Sequence, residues 1–300
     1  MHDVTLIGVP YNSAGRPEGV ARAPAALRAA GIGDGISDAG DVAFGPMTPG
    51  RGPSGVIDEA ALGAMILHVG DLVAETLATG KLPLVVGGDC PILLGCLRGA
   101  LRDSGGIGLL FVDGHEDAWP PPLSQTGEAA DMELGFALGM HTGDLGDDVK
   151  ARLPLLDPSE VVMLGPRDRR EIEEANGTSL EGAVELHPWE ELRHGGDGVA
   201  KAAARSLHRQ VGRWWLHVDL DVLSTEALPA VDYPQDGGLS WAELEAMTHA
   251  AMAVPGCVGW DVAIYNPDLD EEGAHARRIT DYIKGAAEGL TTMAVEERFL

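Results

Sequence analysis

Cysteine is sparse in this chain of 300 residues: Cys90, Cys96 and Cys257 are all it has. Three thiols cannot staple a chain of this length, which suits a reducing compartment. Cations are also in short supply, with 21 Lys and Arg against 47 Asp and Glu, a formal net charge of −26. Such a surplus repels phosphate backbones and anionic lipid, so neither nucleic acid nor a membrane is expected as a partner. No apolar run approaches the roughly 20 residues of a membrane span, and the start lacks a charged segment leading into an apolar one, so the chain reads as cytoplasmic. Also missing are a G-x-G-x-x-G loop after a strand, a G-x-x-x-x-G-K-[ST] loop and any Ser-His-Asp signal, which sets aside dinucleotide, P-loop and serine-hydrolase chemistry.

What remains is an ordinary globular composition, 45% hydrophobic and 23% charged, expected to form one domain over 1–300. Short apolar, β-branched runs at 4–9, 82–86, 107–112, 161–164, 214–218 and 258–264 read as buried strands. Stretches with helical spacing lie between them, at 23–30, 57–79, 92–101, 129–140, 199–210, 242–251 and 271–290. This alternation predicts an α/β fold with a parallel sheet covered on both faces. The Gly- and Pro-rich stretch 34–55 reads as a long surface loop.

Three polar clusters fall where strands should end, the place where open α/β sheets bind ligands. Gly87-Gly88-Asp89-Cys90-Pro91 follows the second run and presents Cys90 before a helix N-terminus, where the dipole favours a thiolate. On its own, a Cys there is more often a packed thiol. Asp113-Gly114-His115-Glu116-Asp117 follows the third run, and in extended backbone Asp113, His115 and Asp117 would share a side. His217-Val218-Asp219-Leu220-Asp221 closes the fifth, with Asp219 and Asp221 on one side and His217 set further back as a supporting hydrogen-bonding group. So many ionisable groups aimed at one point need compensation by cations. Four carboxylates with His115 and Cys90 suit two divalent ions, about 3.5 Å apart and able to generate hydroxide from water at neutral pH, better than one tetrahedral zinc.

The order G-G-D-[ligand], D-x-H-x-D and D-x-D resembles the arginase/agmatinase/formiminoglutamase family, the ureohydrolases. Supporting pieces are Ile7-Gly8-Val9-Pro10, Gly19-Val20 with 24–28, Leu164-Gly165-Pro166-Arg167-Asp168, the P-Q-D-G-G-L of 234–239, and Asp261 with Asn266-Pro267. The resemblance implies a three-layer α/β/α fold around an eight-stranded, mostly parallel sheet. It also implies a binuclear manganese centre, hydrolysis of an amidine or guanidine C–N bond in a small molecule, and a homo-oligomer, trimeric or hexameric. By carry-over Asp113 and Asp219 would bridge two Mn2+ ions, Cys90 and Asp117 would complete one site, and His115 and Asp221 the other. Asp117 and His115 are the catalytic candidates, Asp117 orienting the attacking oxygen.

Three departures from the family pattern stand out. Cys90 replaces a usual His, and a thiolate favours Zn2+, Fe2+, Co2+ or Ni2+ over Mn2+; relatives acting on hydroxyguanidines are similar in carrying Cys there. Ile264 stands where a D-x-x-E-x-N-P stretch would place the guanidinium-binding Glu. The segment 126–133, T-G-E-A-A-D-M-E, lacks the His of the arginase loop. Glu128 and Asp131 there, and Arg170 after Arg167-Asp168, are the candidate substrate contacts, with helix capping the plainer role for Glu128, Asp131 and Glu133. Glu116 is assigned to loop or solvent, and Cys96 and Cys257 to the core. Two other readings follow from the same residues: a catalytically silent metal-binding relative, and a deacetylase-like enzyme with one zinc on Asp113, His115 and Asp219.

Overall fold

Each of the six apolar runs becomes a strand of one sheet. The computed structural model describes residues 4–102 and 105–296, so the ends of the expected 1–300 domain lie outside the described residues. The strands are β1 (Val4–Val9), β2 (Ser37–Asp41), β3 (Leu82–Gly87), β4 (Gly108–Val112), β5 (Val161–Leu164), β6 (Glu185–His187), β7 (Trp214–Asp219) and β8 (Cys257–Ala263). They pair in the order β2-β1-β3-β8-β7-β4-β5-β6, and every pairing is parallel. Parallel neighbours need crossovers. These carry α1 (Ala23–Ala29), α2 (Glu59–Ala78), α3 (Ile92–Leu101), α4 (Glu133–Ala137), α5 (Asp147–Lys150), α6 (Arg169–Glu174), α7 (Trp189–Leu192), α8 (Gly196–Val211) and α9 (Trp241–Met252), and α10 (Ala274–Glu296) follows β8.

The period of two along each strand splits the core into two layers. Trp214, Leu216 and Val218 of β7 face the layer that holds Leu207 of α8, Met247 of α9 and Ile279 of α10. Trp215 points the other way, with Leu109 and Phe111 of β4, against Ile66 of α2 and Leu93 of α3. His217 and Asp219 follow Trp215 on that side by the same alternation, and Asp113 follows Phe111.

Four expectations need correction. The stretch 34–55 is not only loop, because β2 runs through it along the sheet edge. Its Ser-Asp-Ala-Gly-Asp sequence is mostly exposed and carries no apolar signal. β6, three residues at the opposite edge, was silent for the same reason. The helix expected over 129–140 resolves into a 3-10 turn, Ala129–Asp131, and the five residues of α4. Finally, α2 is long and apolar enough by composition to match a membrane span. It packs against α3 instead, with Leu62, Met65, Ile66 and Val69 in the core.

Candidate metal centre

β3, β8, β7 and β4 lie side by side at the middle of the sheet, so their carboxyl ends deliver Cys90, Ile264, Asp219 and Asp113 to one place. The exit from β3 depends on Gly88, where a Cβ would run into the carbonyl oxygens of Tyr11 and Val9. Asp89 secures this turn: its N–H donates to Tyr11 O at 3.0 Å, and its Oδ2 accepts from Ser13 N at 2.9 Å.

The two acidic motifs converge by a different route from the extended backbone that their spacing suggested. The chain leaves the strand at Val112 and bends. Asp113 Oδ1 accepts from the N–H of His115 at 2.7 Å, and Asp117 takes a left-handed φ of 44°. After β7, Leu220–Val222 is a 3-10 turn, and Asp219 Oδ1 accepts from Asp221 N at 2.8 Å. Each leading Asp thus folds its own turn with one oxygen, an Asx turn. The other oxygen, Oδ2 in both, is buried without a hydrogen-bond partner among the described residues.

Three sets of ligand atoms come together, each within 4.8 Å: Cys90 with Asp117 and Glu133, Asp113 with His115 and Asp221, and Asp113 with Glu133 and His217. His115 Nδ1 stands 2.9 Å from Asp221 Oδ2. Burial, reinforced by neighbouring carboxylates, pushes Asp117, Glu133 and Asp219 well above the usual carboxylate range. Burial disfavours charge on Asp113 too, but the rings of His115 and His217 outweigh it and hold that carboxyl well below the usual range. Burial resists protonation of His115, yet Asp221 and Asp113 win and raise it. At Cys90 the expected effect of the helix N-terminus is overridden, since burial and the surrounding carboxylates push the thiol well up. Only a cation would draw a thiolate from it.

His217, read from its position as a supporting group, lies at the base of the cluster. Its ring stacks on Phe111, 4.7 Å between centroids, and its Nδ1 donates to Asp261 Oδ2 at 2.6 Å. Asp261 Oδ1 accepts from Trp215 Nε1 at 2.6 Å. Nε2 of His217 is left facing Asp113 Oδ2 at 3.7 Å, too long for a hydrogen bond. Glu116 turns inward and buries, accepting from Ser179 Oγ at 2.7 Å and from Leu180 N. Arg167 donates to Asp221 O at 2.6 Å and so braces the turn after β7.

Above the donors opens a cavity of about 280 Å³ lined by Cys90, His115, Asp117, Asp221, Trp119, 123–126, Ala130, Asp131, Glu171, Tyr233 and Ile264. Its lining has four carboxylates and no Lys or Arg among the described residues. Asp131 is held by the hydroxyls of Ser124 and Thr126. Glu128 accepts from Tyr233 Oη at 2.9 Å, and burial with Asp89 nearby raises it to about 7. Ile264 sits in the wall with a left-handed φ of 70°, an outlier for a β-branched residue, held by its N–H bond to Gly88 O at 2.8 Å. The structure does not bring Arg170 here: its side chain is 87% exposed and paired with Glu174 one helical turn away. Sequence reasoning left Glu133 out of the centre. Its one signal was a carboxylate set between Met132 and Leu134, both wholly buried.

The comparisons with known proteins agree with this geometry. Residues 2–285 match the model of the arginase family. The arginase of Bacillus caldovelox is 26% identical over 286 residues, covering 92% of this chain and 95% of that protein. Arginase-1 of Homo sapiens is 26% identical over 285 residues, covering 89% and 85%. The Bacillus caldovelox arginase structure superposes with a TM-score of 0.81 at 25% identity over 95% of this chain and 98% of its own. The fold also matches the agmatine ureohydrolase of Thermoplasma volcanium, TM-score 0.70 at 18% identity over 98% and 92%. With an all-parallel eight-stranded sheet, its donors gathered at the central strand ends and a family match over nearly its whole length, the chain belongs to the arginase family.

Proposed function

We propose that this protein is a metal-dependent hydrolase of a C–N bond in a small amidine, guanidine or hydroxyguanidine. The observation that carries the reading is the set of buried, unpartnered carboxylate oxygens, Asp113 Oδ2 and Asp219 Oδ2 among them, at the floor of an open cavity. Buried carboxylates need compensation, and a divalent cation among these donors supplies it. Cys90 and Asp117 would hold one divalent ion, His115 and Asp221 the other, with Asp113 and Asp219 shared. Mn2+ is the family's usual metal, and the thiol of Cys90 makes Zn2+, Fe2+, Co2+ or Ni2+ serious competitors. Bound there, two such ions would supply Lewis acidity and an activated water. Asp117 would accept a hydrogen bond from a water in the cavity and orient it toward the amidino carbon. His217, fixed by Asp261, keeps Asp113 in place.

The walls favour a particular substrate. Asp131 and Glu171, with no opposing Lys or Arg in the lining, favour a cation and disfavour a carboxylate close to the reacting group. Ile264, at the position where the family places a guanidinium-binding Glu, and Trp119 offer apolar surface in the lining. A linear amidino compound without an α-carboxylate fits these walls better than an α-amino acid does. The open cavity above the donors favours an enzyme over a silent binding relative.

The test is a screen of the metal-loaded protein against matched pairs, each guanidino acid beside its decarboxylated amine. The carboxylate-free member should turn over faster, releasing urea or a related amide. If no compound releases urea, hydroxyurea, formamide or ammonia, the enzymatic reading fails.

A further inference from the structure

Glu133 opens α4 and is wholly buried, yet neither Oε1 nor Oε2 has a hydrogen-bond partner among the described residues. The ordinary explanations for a carboxylate at that place do not apply. It caps nothing, since α4 has no side-chain cap. It does not line the cavity, so it is no substrate contact. It meets no Lys or Arg within ion-pair distance among the described residues. What it does meet is Cys90 and Asp117, all three offering a ligand atom within 4.8 Å of one another, and, in a second set, Asp113 with His217. A buried carboxyl with two orphaned oxygens, next to a thiol and a second carboxyl, has two physical resolutions, a proton shared with Asp117 or a cation held among the three, and the thiol of Cys90 completes a donor set that suits the cation.

We propose that Glu133 is a ligand of the cation held by Cys90 and Asp117, so that the residues belonging to this half alone, beside the shared Asp113 and Asp219, are one sulfur and two carboxylates without imidazole. The inference rests on the metallohydrolase reading above. It has a consequence of its own: the two halves differ in chemistry. The Cys90 half offers a soft donor with two negative oxygens, whereas the His115 half offers nitrogen and oxygen. A mixed pair of ions, with zinc, iron or cobalt beside Cys90, follows from that asymmetry.

The experiment uses the full chain, stripped by chelator and titrated with Co2+. Thiolate-to-cobalt absorption reports the ion beside Cys90, and calorimetry reports the total bound. Wild type should take two ions. Glu133→Gln should weaken the ion seen through the thiolate band at least tenfold and leave the other within about threefold. Glu133→Asp, which keeps a shorter carboxylate, should fall between. The metal-free Glu133→Gln protein should melt no lower than metal-free wild type, because the Glu133 carboxyl has no hydrogen-bond partner among the described residues to lose. Unchanged affinities for both ions in Glu133→Gln would overturn the proposal. So would an equal fall in melting temperature with and without metal, the mark of a purely structural carboxyl sharing a proton with Asp117. If wild type retains no ion, the metallohydrolase reading falls with it. If wild type binds two and Glu133→Gln matches it, only the ligand role falls.

Discussion

Replacing Asp261 by Asn isolates the support beneath the centre. Asp261 is wholly buried and accepts two hydrogen bonds, one per oxygen, from Trp215 Nε1 and His217 Nδ1, each 2.6 Å. Asn has one acceptor oxygen, so one of the two N–H groups must face an NH2. The loss is one charge-assisted bond, about 1.5–3 kcal/mol, plus a buried donor left unsatisfied, about 1–3 kcal/mol. Together they predict about 2.5–6 kcal/mol, a span that includes the roughly 3–5 kcal/mol seen when one partner of a buried pair is removed. For a chain of this size that lowers Tm by about 4–10 °C. Urea unfolding of the metal-free protein measures it directly. A double-mutant cycle with Trp215→Phe sharpens the test. With the indole N–H gone, the Asn oxygen can turn wholly to His217, so the two losses should fall short of additive by at least about 1 kcal/mol. A cost below about 1 kcal/mol for Asp261→Asn, or strict additivity in the cycle, would refute the account of Asp261 as a double acceptor.

Asp168 should make stability depend on pH. Burial raises its carboxyl from 3.8 to about 7, so the folded state binds the proton more tightly than the unfolded chain does. The resulting stabilisation is complete below about pH 4 and disappears as pH rises through about 7, a swing of about 4 kcal/mol. Urea titrations of the metal-free protein across that window should show the slope, and Asp168→Asn should flatten it. Gly114→Ala should damage the His115 half of the centre, because a Cβ there would stand 2.8 Å from Asp221 Oδ1 and 2.5 Å from Arg167 Nη1. The expected result is loss of one of two bound ions by elemental analysis, and retention of both would contradict it. Ile264→Glu should lower KM for guanidinium compounds about tenfold or more, given about 1.5–3 kcal/mol for a charge-assisted bond. An unchanged KM would mean that the 264 side chain does not reach the substrate.

The centre of the sheet was legible in the sequence because a strand buried on both faces must be a continuous apolar run. The edges were not. Ser37–Asp41 pairs with β1 through a backbone ladder while its acids meet Arg28, and a backbone ladder leaves no trace in side-chain pattern. In the same way, Cys90, Asp113, His115, Asp117, Asp219 and Asp221 could be singled out because polar clusters at strand ends conflict with the apolar runs before them. The route by which they converge could not be read, since it depends on turns and on the left-handed Asp117 rather than on strand period. Glu133 was hidden by its neighbourhood, where three acids near a helix start suggest capping. Arg170 pointed the other way, because a partner four residues on in the same helix competes for it and keeps it at the surface.

The division of labour within Asp113 and Asp219 has a further consequence. Because the oxygen that closes each bend is not the one turned inward, the loops acquire their shape from the polypeptide itself. The frame would therefore stand whether or not a cation is held there. Asn at either place would keep the bend while abolishing the negative charge, whereas Ala would forfeit both, so geometry and charge can be varied one at a time in this molecule.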